Sequence, residues 1–245
     1  MTDGILVRDL VVVRGRLPAV RSVSVQFDSG KWHGLVGANG SGKTTLLRAV
    51  AGRLPIASGA CWLDGVDRTF DIAGRAREIG FAPSPEMLPA SLRVRDILAT
   101  IAGSAAPPLA VLEPLIEALE LDRLLERRIG TCSAGMRQRV AIACGFAAGN
   151  QIVILDEPFN WLDPVAAFEL RAALRSMVAA GLTLITAMHD LTTLVTSCDE
   201  ATLLADGAVT LTLSQQELVT GASDPARFEK QTIDSLRSGA GRAAG

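Results

Sequence analysis

The stretch GLVGANGSGKTTLL places Gly37, Gly40 and Gly42 at the end of an apolar run, with Lys43, Thr44 and Thr45 opening a helical pattern. The spacing G-x-x-x-x-G-K-[ST] between a strand and a helix is suited to holding phosphate. Glycines let successive backbone N–H groups converge on phosphate oxygens, and the helix N-terminus adds its partial positive charge. Ala38, Asn39 and Ser41 complete the loop. Lys43 can reach β- and γ-phosphates, and Thr44 can offer a hydroxyl to Mg²⁺. A dinucleotide fingerprint would need G-x-G-x-x-G, whereas these glycines run G-x-x-G-x-G, which excludes that kind of cofactor site.

Two acidic residues end a second apolar run, in QIVILDEP. Ile152 to Leu155 predict a buried strand, and ligands of α/β sheets gather where such strands end. Asp156 is the candidate carboxylate for the metal. Glu157, on the other side of an extended chain, is the candidate acceptor of a proton from an attacking water. Helix capping is the alternative reading of this pair. His189 follows the strand LTLITAM and could hydrogen-bond a γ-phosphate at the same sheet edge, while His33, inside a predicted strand, is read as structural. A further stretch, TCSAGMRQRV, sets Ser133 and Gly135 just before a helix, again an arrangement for phosphate, but it contains no lysine.

The elements that must position these residues are legible in part. GILVRDLVVV and VRSVSVQF read as β-strands, SGK as a turn and WHGLV as a third strand before the first helix, KTTLLRAVAG. Strands ACWLDG, EIGFAP, QIVILD, LTLITAM and EATLLAD then alternate with helical stretches, which implies an α/β fold with a mainly parallel sheet. Leu170, Leu174, Met177 and Val178 follow the spacing of one buried helix face. Between Ser84 and Asn150 the β signals vanish. VRDILATIAG, a loop at SAAPP and PLIEALELDRLLERR predict a helical insert, with Pro114 in a first helical turn. The tail RSGAGRAAG is small, polar and without period, and predicts disorder.

The 245 residues carry 24 Lys and Arg against 26 Asp and Glu, so no global positive field would hold DNA or RNA. Four widely spaced cysteines without a Cys-x-x-Cys pair predict buried thiols in a reducing compartment. Neither a leader nor a run of roughly 20 apolar residues is seen, so the chain is expected to be soluble and cytosolic.

Taken together, these stretches resemble the nucleotide-binding domain of ATP-binding cassette (ABC) transporters, from about Leu6 to Thr220. GANGSGKTT matches the family's Walker A, CSAGM stands at its signature, ILDEP matches Walker B, NWLD the D-loop and MHD the switch histidine. The resemblance implies a P-loop NTPase (RecA-like) core with an N-terminal antiparallel β subdomain. The expected layout is one domain over 1–245: core 1–83 and 150–222, helical subdomain 84–149, and C-terminal helix and tail 223–245. It also implies ATP and Mg²⁺ as cofactors, with Thr44 and Asp156 on the metal and Glu157 and His189 catalytic. Such domains work as head-to-tail dimers in which Ser133 and Gly135 of one subunit cover the ATP of the other. This explains a second phosphate grip without a lysine. The implied partners are a second ATPase subunit, identical or not, and a polytopic membrane permease, on which the chain would lie peripherally at the inner face of the cell membrane.

Four positions depart from the family pattern. Ala134 replaces the first signature glycine and Met136 the glutamine, Ser84 stands where the Q-loop glutamine is expected, and Arg14 takes the place of the adenine-stacking aromatic. A guanidinium can also stack on a purine. IGFAPSPEMLPASLRVRDIL and SAGMRQR resemble exporter subunits, so export is the expected direction, with import the alternative. A soluble cassette acting on ribosomes or DNA is a second class, disfavoured because the chain has neither tandem cassettes nor a long coiled-coil insert. A third class, a module that binds nucleotide without hydrolysing it, is disfavoured by Glu157 and His189.

Overall fold

The computed structural model describes residues 4–103 and 108–241. Strands β1 (Gly4–Arg14) and β2 (Leu17–Asp28) pair antiparallel. Burial alternates along the second half of β2, the period-2 pattern of a strand with one face on the core. β1 also pairs with β4 (Ser58–Leu63), and β5 (Val66–Asp67) completes a four-stranded sheet in the order β2-β1-β4-β5.

The second sheet positions the chemistry. It contains β3 (Trp32–Val36), β6 (Ile79–Phe81), β7 (Ile152–Asp156), β8 (Thr183–Met188), β9 (Glu200–Ala205) and β10 (Ala208–Leu213), in the order β10-β9-β3-β8-β7-β6. All its ladders are parallel except that of the edge strand β10. Both faces are covered, which is why β7 and β8 read as continuous apolar runs. Ile152, Ile154 and Ile185 enter one core with helix α1 (Lys43–Val50) and the antiparallel sheet, while Val153, Leu155 and Leu184 enter the other. Parallel register sets Val36 opposite Met188 and Asp156 opposite Ala187. The segments leaving β3, β8 and β7 therefore emerge side by side.

Helix α2 (Ile72–Glu78) precedes β6. Between β6 and β7 lie α3 (Val94–Ala102), α4 (Pro108–Ile116) and α5 (Ala134–Phe146), with no strand among the described residues there. The expected SAAPP loop falls mostly on 104–107, outside the described residues, and α4 begins at Pro108. Pro114 does not open a helix. It lies inside α4, and Leu121–Arg123 forms a single 3₁₀ turn where a continuous helix was expected. Proline lacks the N–H and crowds the carbonyl four residues back, and α4 stops two residues later. Leu121 and Leu124 reach the core from turns instead.

Helices α6 (Pro164–Ala179), α7 (Leu191–Ser197), α8 (Gln215–Ser223) and α9 (Pro225–Gly241) complete the chain. In α6, Leu170, Leu174 and Val178 are buried and Met177 packs beside them, as their spacing predicts. The expectation of a disordered tail is corrected for 237–241, which continue α9, whereas 242–245 lie outside the described residues. Phe228 and Thr232 bury one face of α9, and such docking sustains a helix that small residues alone would not. Among the described residues no helix is long and apolar enough to cross a membrane.

Candidate nucleotide-binding and hydrolysis site

The loop from Gly37 to Gly42 joins β3 to α1. Gly42 has φ of 102°, and a Cβ there would lie 2.5 Å from the Ala19 carbonyl oxygen, so this position requires glycine. Gly40, with φ of 82°, faces open space. Lys43 is 5% exposed, and its Nζ donates to the Gly37 carbonyl at 2.7 Å and to the Ala38 carbonyl at 3.3 Å. The same Nζ lies 3.8 Å from Glu157 Oε1. The lysine thus turns back over the loop whose amides would hold phosphate.

Asp156 ends β7 and is hydrogen-bonded to the Thr44 side chain, while its Oδ1 is buried without a partner. Burial raises the Asp156 carboxyl above the usual carboxylate range, against the hydrogen bond from Thr44. Asp156 and Thr44 fit Mg²⁺, because a buried carboxylate oxygen without a partner, beside a hydroxyl, offers a hard cation two oxygen ligands. No group of three His, Cys, Asp or Glu side chains able to hold a metal occurs among the described residues.

Glu157 reaches the site in a way the sequence did not reveal. Strand alternation was expected to turn it away from Asp156, but β7 ends at Asp156 and Glu157 adopts φ of 54°. A non-glycine residue in this left-handed region costs about 1–3 kcal/mol and persists only where its surroundings enforce it. The Glu157 N–H donates to the Ala187 carbonyl at 3.0 Å. Asn160 Nδ2 donates to Glu157 Oε2 at 3.0 Å, and His189 Nδ1 lies 2.8 Å from the same oxygen. A carboxylate oxygen only accepts, so Nδ1 carries the proton of that bond. Lys43, Thr44, Asp156, Glu157 and His189 thereby form one connected cluster at the strand ends. The contact from Asn160 was not anticipated, although the residue lies within the NWLD stretch.

Ser133 and Gly135 are elsewhere. Ser133 caps α5, its Oγ accepting from the Met136 N–H at 3.2 Å, and it remains exposed. Its cleft is shared with Gly135, Met136, Arg127 and Trp161, and none of the residues lining it lines the cleft of Gly37, Ala38 and His189. Gly135 packs tightly on the chain after Glu157, since a Cβ there would lie 2.8 Å from the Trp161 carbonyl oxygen. Arg14 is exposed where β1 turns into β2. His33 is buried, with Nε2 2.9 Å from the Asp28 carbonyl, in keeping with a structural role.

Ser84 accepts a hydrogen bond from Arg48 Nη2 at 3.3 Å. The two line a groove with Met87 and Ile101 between the core and the helical segment, and the charge of Arg48 also reaches Asp156. Nothing in the spacing of GKTTLLR separates Arg48 from an ordinary solvated helix residue, so sequence alone could not single it out.

Residues 20–160 match the family model described as ABC transporter. The chain is 33% identical over 219 residues to the hemin import ATP-binding protein HmuV of Bordetella parapertussis, covering 82% of both. It is 32% identical over 210 residues to the lipopolysaccharide export system ATP-binding protein LptB of Acidithiobacillus ferridurans, covering 83% of this chain and 87% of that one. The fold superposes on a solved ATP-binding subunit of an ABC transporter with a TM-score of 0.82 and 25% sequence identity, over 95% of this chain and 99% of the other. The motif cluster, the family match over more than half of the chain and these relatives agree: the chain belongs to the ABC transporter family, as an ATP-hydrolysing nucleotide-binding domain.

Proposed function

We propose that this ATPase hydrolyses Mg²⁺-ATP between two subunits arranged head to tail, and that it drives export through a separate membrane permease from the inner face of the cell membrane. One observation carries the two-subunit reading: Ser133 and Gly135 open a cleft that shares no lining residue with the phosphate loop. A second grip outside its own site is useful only to a neighbour's nucleotide. The cluster of five suits the chemistry. Backbone amides from Gly37 to Thr45 bind the phosphates, with Lys43 on the β- and γ-phosphates. Glu157 takes a proton from the water that attacks the γ-phosphorus as the bond to the ADP oxygen breaks, and His189 orients the Glu157 carboxylate and bonds the γ-phosphate. Mg²⁺, held by Thr44 and Asp156, would neutralise phosphate charge. Arg14 is proposed to stack on the adenine.

The groove of Ser84, Met87 and Ile101 is the proposed docking place of the permease. Export is supported by the stretches IGFAPSPEMLPASLRVRDIL and SAGMRQR. Import is the second reading, favoured by the name of the Bordetella relative. The proposed layout is one domain with a helical subdomain over 84–149 and no role in binding nucleic acid. The deciding experiment on chemistry is Glu157→Gln. It should retain ATP binding and slow turnover by about 10²- to 10⁴-fold, the usual contribution of a general base; turnover at the original rate would reject Glu157 as that base.

A further inference from the structure

Gln138 lies on α5, five residues beyond the exposed Ser133, yet it is 5% exposed. Its Nε2 donates to the Pro158 carbonyl at 2.9 Å and to the Glu157 carbonyl at 3.2 Å. These carbonyls belong to two successive peptides, on either side of Pro158, where the chain leaves the left-handed turn at Glu157. Two more contacts join the same helix to the same segment. Gly135 abuts the Trp161 carbonyl, and Arg139 Nη2 lies 3.7 Å from Asp163 Oδ2. Asp163 in turn caps α6, accepting from the N–H groups of Val165 and Ala166. One face of α5 thus braces residues 157–163 at their beginning, middle and end.

A left-handed glutamate needs such bracing. Nothing intrinsic favours φ of 54° for a residue with a Cβ, and a shift of the Glu157 backbone would carry the carboxylate away from Lys43 and His189. The amide of Gln138 is a planar donor fixed by burial, and its two bonds define the direction in which the turn leaves β7.

We propose that Gln138 is a positioning residue for Glu157, holding its backbone in the turn from which the carboxylate addresses the attacking water. Both bonds of Gln138 go to backbone carbonyls and neither goes to the Glu157 carboxylate. The proposal rests on the reading of Glu157 as the base, which Glu157→Gln tests separately.

The test is a double-mutant cycle on the full chain. Gln138→Met preserves length and bulk while removing the donor, and Gln138→Lys returns a donor to the two carbonyls. The expected result for Gln138→Met is a kcat lowered about 10- to 100-fold with unchanged KM for ATP, as for a misplaced reacting group. Gln138→Lys should recover a large part of that loss. In the Glu157→Gln background, where single turnovers of radiolabelled ATP are followed over hours, Gln138→Met should have no further effect. Residues that act through one another are non-additive. An equal loss of rate in both backgrounds overturns the proposal, as does an unchanged kcat in Gln138→Met alone. A Gln138→Met chain that no longer binds ATP, with Gln138→Lys restoring binding and turnover in proportion, would make the residue a folding element and also overturn it. If Glu157→Gln itself leaves turnover intact, the base assignment fails and not the contact.

Discussion

Replacing Lys43 by Met tests the proposed phosphate grip apart from the fold. Lys43 is 5% exposed, and its ammonium lies 2.7 and 3.3 Å from two loop carbonyls and 3.8 Å from Glu157 Oε1. Met keeps the side chain's length and apolar stem, so the loop stays packed while the charge is lost. A hydrogen bond to a charged group contributes about 1.5–3 kcal/mol, which corresponds to about a 10- to 150-fold weaker Kd for ATP. The effect must depend on which phosphates are present. AMP has neither of the groups that Lys43 would reach, and its affinity should change less than about 3-fold. Thermal unfolding offers a second readout. A ligand at about 100 times its Kd stabilises by about 2.7 kcal/mol, and a 100-fold weaker Kd reduces this to about 0.4 kcal/mol. At about 2–4 °C per kcal/mol for a chain of this size, the ATP-induced rise in Tm should fall from about 5–11 °C to about 1–2 °C. Calorimetric titration with a non-hydrolysable ATP analogue, ADP and AMP checks the order. Equal losses for AMP and ATP, or an unchanged ATP affinity, would refute the assignment of the loop.

In tethered dimers carrying Glu157→Gln in both halves, Lys43→Ala in one half and Ser133→Arg in the other should leave one occluded ATP, and both changes in one half none; the reverse counts would show that each subunit serves its own nucleotide. Ser84→Gln should alter permease-stimulated ATPase activity more than basal activity, measured in vesicles with and without the permease, and equal effects would remove this position from coupling. Burial raises all four thiols, Cys61 to about 11 and Cys144 to about 12, with Cys132 and Cys198 also raised. Because a raised thiol pKa leaves little thiolate below it, iodoacetamide at about pH 8 should modify none of them in the native chain and all of them in urea, as counted by intact-mass spectrometry; a rapid native adduct would contradict their burial.

The periodic elements were legible because their causes are local. The alternation of strands and helices, the glycine loop and the apolar run before Asp156 each follow from a few neighbouring residues. What escaped depends on tertiary contact. A preference for proline in first helical turns predicts a helix start at Pro114, but α4 begins at Pro108 and carries Pro114 inside. Arg237 to Gly241 lack any helical period, yet they extend a helix anchored by Phe228 and Thr232. Type and position make Glu157 a candidate from sequence, whereas its left-handed turn and its bonds to Gln138 and Asn160 bring together residues from separate elements. No local signal marks a glutamine on α5 as the hydrogen-bond partner of the turn that follows β7.

The helix α5 faces two ways, and this governs how changes at its N-terminus must be read. Ser133 projects outward, while Gln138, a turn and a half later, projects onto Glu157 of its own subunit. Removing the Ser133 cap would cost about 0.5–2 kcal/mol, and fraying of the first turn would reach Gly135, which abuts the Trp161 carbonyl. A loss of activity in Ser133→Ala could therefore arise at the neighbour's nucleotide, through contact, or at the subunit's own glutamate, through the brace. The two routes differ in what they spare. Damage through contact weakens ATP occlusion even where Glu157 has been replaced by Gln, whereas damage through the brace alters the rate of hydrolysis and vanishes in that background. Occlusion and single-turnover hydrolysis, measured on the same variant, thus separate the outward role proposed for this helix from its proposed inward one.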